Sequence, residues 1–139
     1  MRLLLDTNVV LDVLANREPQ VKESAAVLSA IEAGKAEGLL AAHSVTTLHY
    51  LLHKQLGPKK AAAAIADVVS LLRIVPVDHE TILLALSLGW RDFEDAVQAA
   101  AAIRSKATHI ITRNPKDYRD FSLPVMQPGE FLKVVLRLR

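Results

Sequence analysis

The chain has no cysteine, and only 4% of its 139 residues are aromatic. Without thiols it can form no disulfide, no thiolate metal site and no cysteine nucleophile. Hydrophobic residues nevertheless make up 51% of the sequence, so the core must be built from aliphatic side chains. The lack of cysteine fits a cytoplasmic protein, which is the location we predict.

Long apolar segments and a strong charge of one sign are also missing. No apolar run approaches the roughly 18 residues that a membrane span requires, and the N-terminus lacks a signal-peptide pattern. We therefore expect no membrane association. The 17 basic and 15 acidic residues give a net charge of +2. This excess permits a polyanionic partner but is too small to indicate one.

Apolar segments of strand length alternate with segments of helical periodicity, and the length predicts a single domain over residues 1–139. This alternation predicts an α/β fold: a three-layer α/β/α sandwich around a mainly parallel sheet of four to five strands. The predicted strands are 3–5, 39–43, 73–77, 108–112 and a short 123–126. Seven helices are predicted. The first follows Asp6, the second covers 18–35, the third extends from a Ser44 cap to 56, and the fourth covers 59–72. The fifth extends from an Asp78 cap to 88, the sixth covers 92–107, and the seventh begins at Pro128.

Polar residues directly follow the first and fourth predicted strands. Asp6 follows the first strand, and Asn114 and Asp117 follow the fourth. Ligands of open α/β sheets bind beyond the carboxyl ends of the strands, so these residues converge if the two strands are neighbours. Asp95 joins them from the first turn of the intervening helix, with Asp92 three residues earlier on the same face.

Such a group of carboxylates indicates a cation, because their mutual repulsion is costly unless a positive charge neutralises it. Ligands that are all oxygen favour Mg²⁺ or Mn²⁺. An ion of this kind can activate a water molecule and stabilise an in-line displacement at phosphorus. We therefore predict a Mg²⁺ or Mn²⁺ site at this edge of the sheet.

The same residues also have purely structural explanations. Asp6 is a common residue type at a helix N-cap. Asp92 and Asp95 resemble a capping box, and for that pair alone capping is the simpler explanation. Asn114 begins an ordinary Asn-Pro turn, and Asp117 can be a solvated loop charge. We predict that Asp6 both caps the first helix and binds a metal.

The segments DTNVVLDVL, DFEDAVQAAAA and IITRNPKDY resemble, in this order, the motifs of the PIN-domain ribonucleases. The resemblance extends over nearly the whole chain, down to VMQPGEFL, and is particularly close to the toxins of bacterial VapBC toxin–antitoxin pairs. It implies a compact α/β/α fold and Mg²⁺- or Mn²⁺-dependent cleavage of single-stranded or structured RNA. It also implies frequent homodimers and inhibition by a small antitoxin protein.

The resemblance further implies roles for individual residues. Carried over by position, Asp6 and Asp95 are the principal metal ligands. Asn8 and Thr112 would support these ligands through hydrogen bonds.

The chain departs from the family pattern at two places. Asn114 stands where many relatives have another acid, and Asp117 is the nearest carboxylate that can replace it. Residues 43–54 contain no acid, whereas many active relatives carry a glutamate near His49. We expect His49 at the edge of the buried helix face, as a general base, a phosphate contact or an interfacial histidine. The metal site is therefore predicted to be thin, with one well-held ion and weak or absent activity as open outcomes.

Several basic side chains can contact an RNA backbone, although each is also an ordinary surface charge. These are Lys59, Lys60, Arg113, Lys116 and Arg119.

Two other functions stay open: an inactive PIN domain that binds RNA or protein, and an aspartate-nucleophile phosphatase. The phosphatase ranks last because it uses a second aspartate two residues after the first, where this chain has Asn8. The final predicted helix, which includes Phe131, Val135 and Leu138, is apolar enough to pack on the domain, with a partner contact as the alternative.

Overall fold

The computed structural model describes residues 1–118 and 121–137, the last two by their backbone alone. The strands are β1 (Arg2–Leu5), β2 (Glu37–Ala41), β3 (Arg73–Val75), β4 (His109–Ile111) and β5 (Val125–Met126). The helices are α1 (Thr7–Leu14), α2 (Val21–Glu32), α3 (Ala42–Leu56), α4 (Pro58–Leu71), α5 (His79–Leu88), α6 (Phe93–Arg104) and α7 (Pro128–Arg137). A short 3-10 turn spans Pro115–Asp117.

The strands form one sheet in which every neighbouring pair is parallel, in the order β3-β2-β1-β4-β5. Successive side chains of a strand point to opposite faces, and both faces are buried here. Leu3 and Leu5 of β1 pack with residues of α1, α2, α3, α4 and α7, whereas Leu4 packs with residues of α6 on the other side. The predicted three-layer α/β/α fold is therefore confirmed.

The point where the strand order reverses lies between β1 and β4. After β1 the chain builds β2 and β3 on one side, and it then crosses to β4 on the other side of β1. Leu5 pairs with Ile111, and the Asp6 amide donates a hydrogen bond to the Ile111 carbonyl at 2.9 Å. The residues that follow β1 and β4 therefore leave the sheet side by side, as the convergence of the acidic residues required.

Alanines bring α6 close to the sheet. Ala99, Ala100 and Ala102 are completely buried, and Ala101 is buried as well. Their small side chains allow the helix backbone to approach the strands closely. This approach carries the first turn of α6, with Asp95, to the edge of the sheet where β1 ends.

Two helix ends test the predicted caps. The Asp78 carboxylate accepts a hydrogen bond from the Thr81 amide at 3.0 Å, which confirms the cap of α5. The predicted Ser44 cap is wrong, because α3 begins two residues earlier, at Ala42, and Ser44 is a buried residue of its first turn.

The last helix packs on the domain, as predicted. Phe131 and Val135 of α7 are buried in the same core cluster as residues of α1 and α2. Leu138 lies outside the described residues. No described helix combines the length and the apolar character needed to cross a bilayer.

Candidate active site

Asp6 lies directly after β1 and is only 5% exposed. Its Oδ2 accepts a hydrogen bond from the Thr112 hydroxyl at 3.0 Å and another from the Tyr118 hydroxyl at 2.9 Å. Asp6 occupies the N-cap position of α1, but its side chain makes no capping hydrogen bond. Asp6 is therefore the N-cap residue that the sequence predicted, although donors from the segment after β4 hold its carboxylate.

The charge of Asp6 is incompletely compensated. Burial raises the pKa of Asp6 and the neighbouring Glu94 carboxylate raises it further, whereas the hydrogen bonds from Tyr118 and Thr112 lower it. Burial and the nearby carboxylates also raise the pKa of Tyr118, so its phenol stays protonated and serves as a donor. A cation beside Asp6 would relieve both effects.

The first turn of α6 adds further carboxylates. Asp92 is the N-cap residue, and its side chain accepts a hydrogen bond from the Asp95 amide at 3.1 Å, as the spacing of this pair indicated. Burial raises the pKa of Asp95 to about 7, and four neighbouring carboxylates contribute: Asp92, Asp6, Glu94 and Asp117. The acidic residues predicted from separate segments therefore interact electrostatically at one edge of the sheet.

A cleft of about 740 Å³ opens at this edge. It is lined by Trp90, Arg91, Asp92, Asp95, Lys116 and Asp117. Asn114 is exposed and lines a second cleft of about 250 Å³ together with Arg113 and Gln127. The structure therefore brings Asp117 to Asp95 and directs Asn114 to a neighbouring cleft.

The histidine that α3 contributes to the acidic residues is His43. Its Nε2 lies 3.6 Å from Glu94 Oε2. His49 is exposed, and its ring centroid lies 5.9 Å from that of His53. At about 100° per residue, His43 and His49 lie roughly 120° apart around the helix. The structure therefore does not bring His49 to the acidic residues.

Glu94 is a site residue that the sequence reasoning missed. It raises the pKa of both Asp6 and Asp95, so its carboxylate lies within electrostatic reach of both. Glu94 of α6 therefore supplies an acid beside the start of α3, a helix that has no acid of its own. The signal was present in the motif DFED, which holds three acids within four residues.

A buried polar network lies beside these carboxylates and joins α1, α3 and α6. Gln98 is completely buried, and its Nε2 donates to Ser44 Oγ at 2.9 Å and to Thr7 Oγ1 at 3.1 Å. Thr7 Oγ1 donates to Ser44 Oγ at 2.7 Å. Gln98 Nε2 also lies 3.5 Å from Glu94 Oε1. This network, which the sequence did not reveal, holds the start of α6 against α1 and α3.

Two residues predicted near the site are placed differently. The amide oxygen of Asn8 is buried without a hydrogen-bond partner among the described residues, and the support that Asn8 would give the metal ligands stays a prediction. Arg113 Nε lies 3.1 Å from Oδ2 of Asp12, a completely buried residue of α1. Arg113 is thus partly buried in an ion pair with α1, and it also lines the second cleft.

The remaining basic residues lie at different distances from the cleft. Lys116 lines the cleft. Lys59 and Lys60 begin α4, which follows the far end of α3, and the 15 residues of α3 span roughly 22 Å. These two lysines therefore lie far from His43 at the start of α3. Arg119 is outside the described residues.

The donor set fits a hard divalent cation, because its members are carboxylate oxygens. Among the residues that the structure describes, no three acidic or histidine side chains form a complete metal cage. Mg²⁺ commonly takes one or two protein carboxylates and keeps several waters. Asp6 and Asp95 can supply two such ligands, with Glu94 close to both.

A parallel α/β/α sheet with acidic residues beyond β1 and at the start of α6 defines the class of this protein. The family model of the PIN domain matches residues 2–116. The chain therefore belongs to the PIN-domain family, which confirms the family identified from the sequence motifs.

Similar proteins place the chain near the VapC branch of this family. Ribonuclease VapC1 from Aquifex aeolicus is 27% identical over 135 residues, which cover 94% of this chain and 92% of the relative. Solved structures with the same fold include VapBC2 from Rickettsia felis bound to promoter DNA, with a TM-score of 0.71, 16% identity and coverage of 91% of this chain and 98% of the other. Mycobacterium tuberculosis VapC20, described as a sarcin-ricin loop cleaving toxin, gives a TM-score of 0.62 at 16% identity, with coverage of 78% and 86%.

Proposed function

We propose that this protein is a metal-dependent endoribonuclease and the toxin of a toxin–antitoxin pair. The observation that carries the proposal is the electrostatic coupling of Asp6, Glu94 and Asp95 beside a cleft that also presents Arg91 and Lys116. Carboxylates of this kind hold a divalent cation, and basic side chains bind phosphates. The similarity to a ribonuclease and to an RNA-cleaving toxin supports RNA as the substrate.

The residues of the site would divide the work as follows. Asp6 and Asp95 hold Mg²⁺ or Mn²⁺, which when bound supplies a cation that activates water for attack at phosphorus. Thr112 and Tyr118 both donate to Oδ2 of Asp6 and orient its carboxylate, which would hold the ion. Lys116 binds and orients the phosphate backbone.

The first test is cleavage of unstructured RNA by protein stripped with EDTA. We expect no cleavage until Mg²⁺ or Mn²⁺ is added, and no recovery with either ion in Asp6→Asn, because an amide oxygen is a far weaker ligand than a carboxylate. Asp78→Asn is the matched control: Asp78 caps α5 away from the cleft, and asparagine caps a helix about as well. Cleavage in EDTA, or by Asp6→Asn at the wild-type rate, would contradict the proposal.

A second function is favoured by the incomplete metal cage among the described residues. In this alternative the chain is a catalytically inactive PIN domain that binds RNA or protein. Binding of Mg²⁺ by the folded protein without RNA cleavage would favour this alternative. Cleavage that Asp6→Asn abolishes would exclude it.

We further propose that this single-domain, cytoplasmic protein binds a small antitoxin and forms a homodimer. Solved structures with the same fold include VapBC2 and a toxin–antitoxin complex, which supports an antitoxin partner for this chain. Growth arrest on expression of the wild-type chain, but not of Asp6→Asn, would support the toxin role.

The proposed homodimer is supported by exposed apolar side chains on α5. Leu83 and Leu86 of this helix are 48% and 60% exposed to solvent. Apolar side chains that share one face are typical of a surface that another subunit covers.

The proposed homodimer can be tested by a substitution on α5. Leu86→Glu should convert a dimer into a monomer, because it places a charge in an apolar contact. The matched control is Val69→Glu on α4, where the replaced side chain is 52% exposed. Sedimentation equilibrium measures both. A wild-type protein that sediments as a 15.2 kDa monomer at all concentrations would refute the homodimer.

A further inference from the structure

Aromatic residues are scarce in this chain, yet half of them form one cluster, of which Trp90 lines the cleft. The chain has one tryptophan, two tyrosines and three phenylalanines. Three of these six form one cluster in which the Trp90 ring lies 5.8 Å from Tyr118 and 5.7 Å from Phe121, centroid to centroid. The ring planes are nearly perpendicular, at 86° and 81°. Such edge-to-face contacts are favourable and fix the orientation of the rings.

The Trp90 indole is held rigidly but is not fully covered. Tyr118 is only 4% exposed and its hydroxyl is bonded to Asp6, so it is a fixed support. Trp90 also packs against the two core clusters that contain α6 residues. Trp90 is partly exposed and lines the cleft.

The other residues of the cleft supply what an aromatic surface lacks for binding a nucleotide. Arg91 and Lys116 carry positive charge for phosphates, and Asp92, Asp95 and Asp117 line the same cleft. Proteins that bind single-stranded nucleic acids combine basic side chains along the backbone with aromatic rings on which bases stack. In a duplex, by contrast, both faces of a base are covered by its neighbours.

We infer that Trp90 is a stacking platform for one unpaired base next to the scissile phosphate. This inference rests on the proposed nuclease function and assigns a base-binding position to its cleft. Trp90 is a positioning residue in this scheme: it binds a base and thereby places the adjacent phosphate beside Asp95.

Trp90 is the only tryptophan, so the intrinsic tryptophan fluorescence of the protein reports on this position alone. The probe is a short oligouridylate, titrated into Asp6→Asn with Mg²⁺ and into wild-type protein in EDTA. Gel electrophoresis of the same samples shows whether the RNA stays intact. We expect strong quenching by the oligouridylate, little by an RNA duplex of equal length, and a marked loss when one position of the oligouridylate is abasic.

Substitutions provide an independent measurement, with binding followed by the anisotropy of labelled RNA. Trp90→Leu should raise the Kd by about 10-fold, the usual scale for the loss of a stacked aromatic, and Trp90→Phe should retain most of the affinity. The abasic RNA should bind Trp90→Leu no more weakly than intact RNA does, because both changes remove the same contact. Tyr50→Leu is the control, since Tyr50 is 59% exposed on α3 and does not line the cleft.

The outcomes separate this inference from the proposed activity. Equal binding of single strand and duplex, or equal binding of abasic and intact RNA by wild-type protein, would overturn the inference whatever the variants do. Metal-dependent cleavage with unchanged KM in folded Trp90→Leu would leave the nuclease standing and overturn the stacking role. Base-dependent quenching without cleavage in Mg²⁺ or Mn²⁺ would support the stacking role and remove the nuclease.

Discussion

Asp95→Asn should lower RNA cleavage by more than about 100-fold, beyond the losses typical of residues that only support a metal ligand. The substitution removes the carboxylate that interacts with four other acids at the cleft. Glu94→Gln should cause a smaller loss, of roughly 10- to 100-fold, if Glu94 only assists the ion. The measurements are kcat/KM and the Mg²⁺ concentration that gives half-maximal rate. Wild-type cleavage by folded Asp95→Asn would exclude this residue from the active site.

The same variant should be more stable than wild type in metal-free buffer above pH 7. Asp95 has a pKa of about 7 in the folded protein, raised from the ordinary 3.8 mainly by burial and then by its acidic neighbours. A carboxyl group whose pKa is raised by folding contributes its full stabilisation at pH values below its pKa in the unfolded chain. This contribution is lost as the pH rises through its pKa in the folded protein. Wild type therefore loses stability between about pH 4 and pH 7, whereas asparagine does not titrate.

Thermal melts in EDTA across this range measure the difference. We expect Asp95→Asn to melt at a higher temperature than wild type above pH 7, and the two proteins to converge toward pH 4. Saturating Mg²⁺ should reverse the order, because the ion stabilises only the protein that binds it. A variant that melts below wild type in EDTA at every pH would show that Asp95 supports the fold instead of destabilising it.

Arg113→Ala should lower the free energy of unfolding by about 2 to 4 kcal/mol, because it leaves a buried carboxylate without its partner. Asp12 is completely buried, and its Oδ2 lies 3.1 Å from Arg113 Nε. Burial raises the pKa of Asp12, whereas Arg113 and Arg17 lower it. The Arg113 side chain is 30% exposed, which places the effect below that of a completely buried pair.

Urea denaturation measures this effect and its control. Arg104→Ala breaks the exposed pair with Asp78, where the side chains are 42% and 52% exposed, and should change the stability much less. Adding Asp12→Asn to Arg113→Ala should restore part of the lost stability, because it removes the unpaired charge. If the two arginine variants lose equal stability, the buried pair does not have the proposed role.

The sequence by itself determined the fold and the positions at which chemistry could occur. The five predicted strands all appear in the sheet, with ends that differ by one or two residues, because short aliphatic runs between helical segments are a local property. The family resemblance implied that Thr112 supports the metal ligands through a hydrogen bond, and Thr112 donates to Asp6 at 3.0 Å. The ordered motifs also identified the PIN-domain family, which the family model confirms.

Only the tertiary structure decided which side chains complete the site. His43 lies beside Glu94, whereas His49 is turned away, because each residue rotates a helix position by about 100° and the sequence pattern does not specify the final orientation. The clustering of Trp90 with Tyr118 has the same origin. Local spacing determines helices and strands, but contacts between distant segments depend on strand order and helix packing, and these are properties of the whole fold.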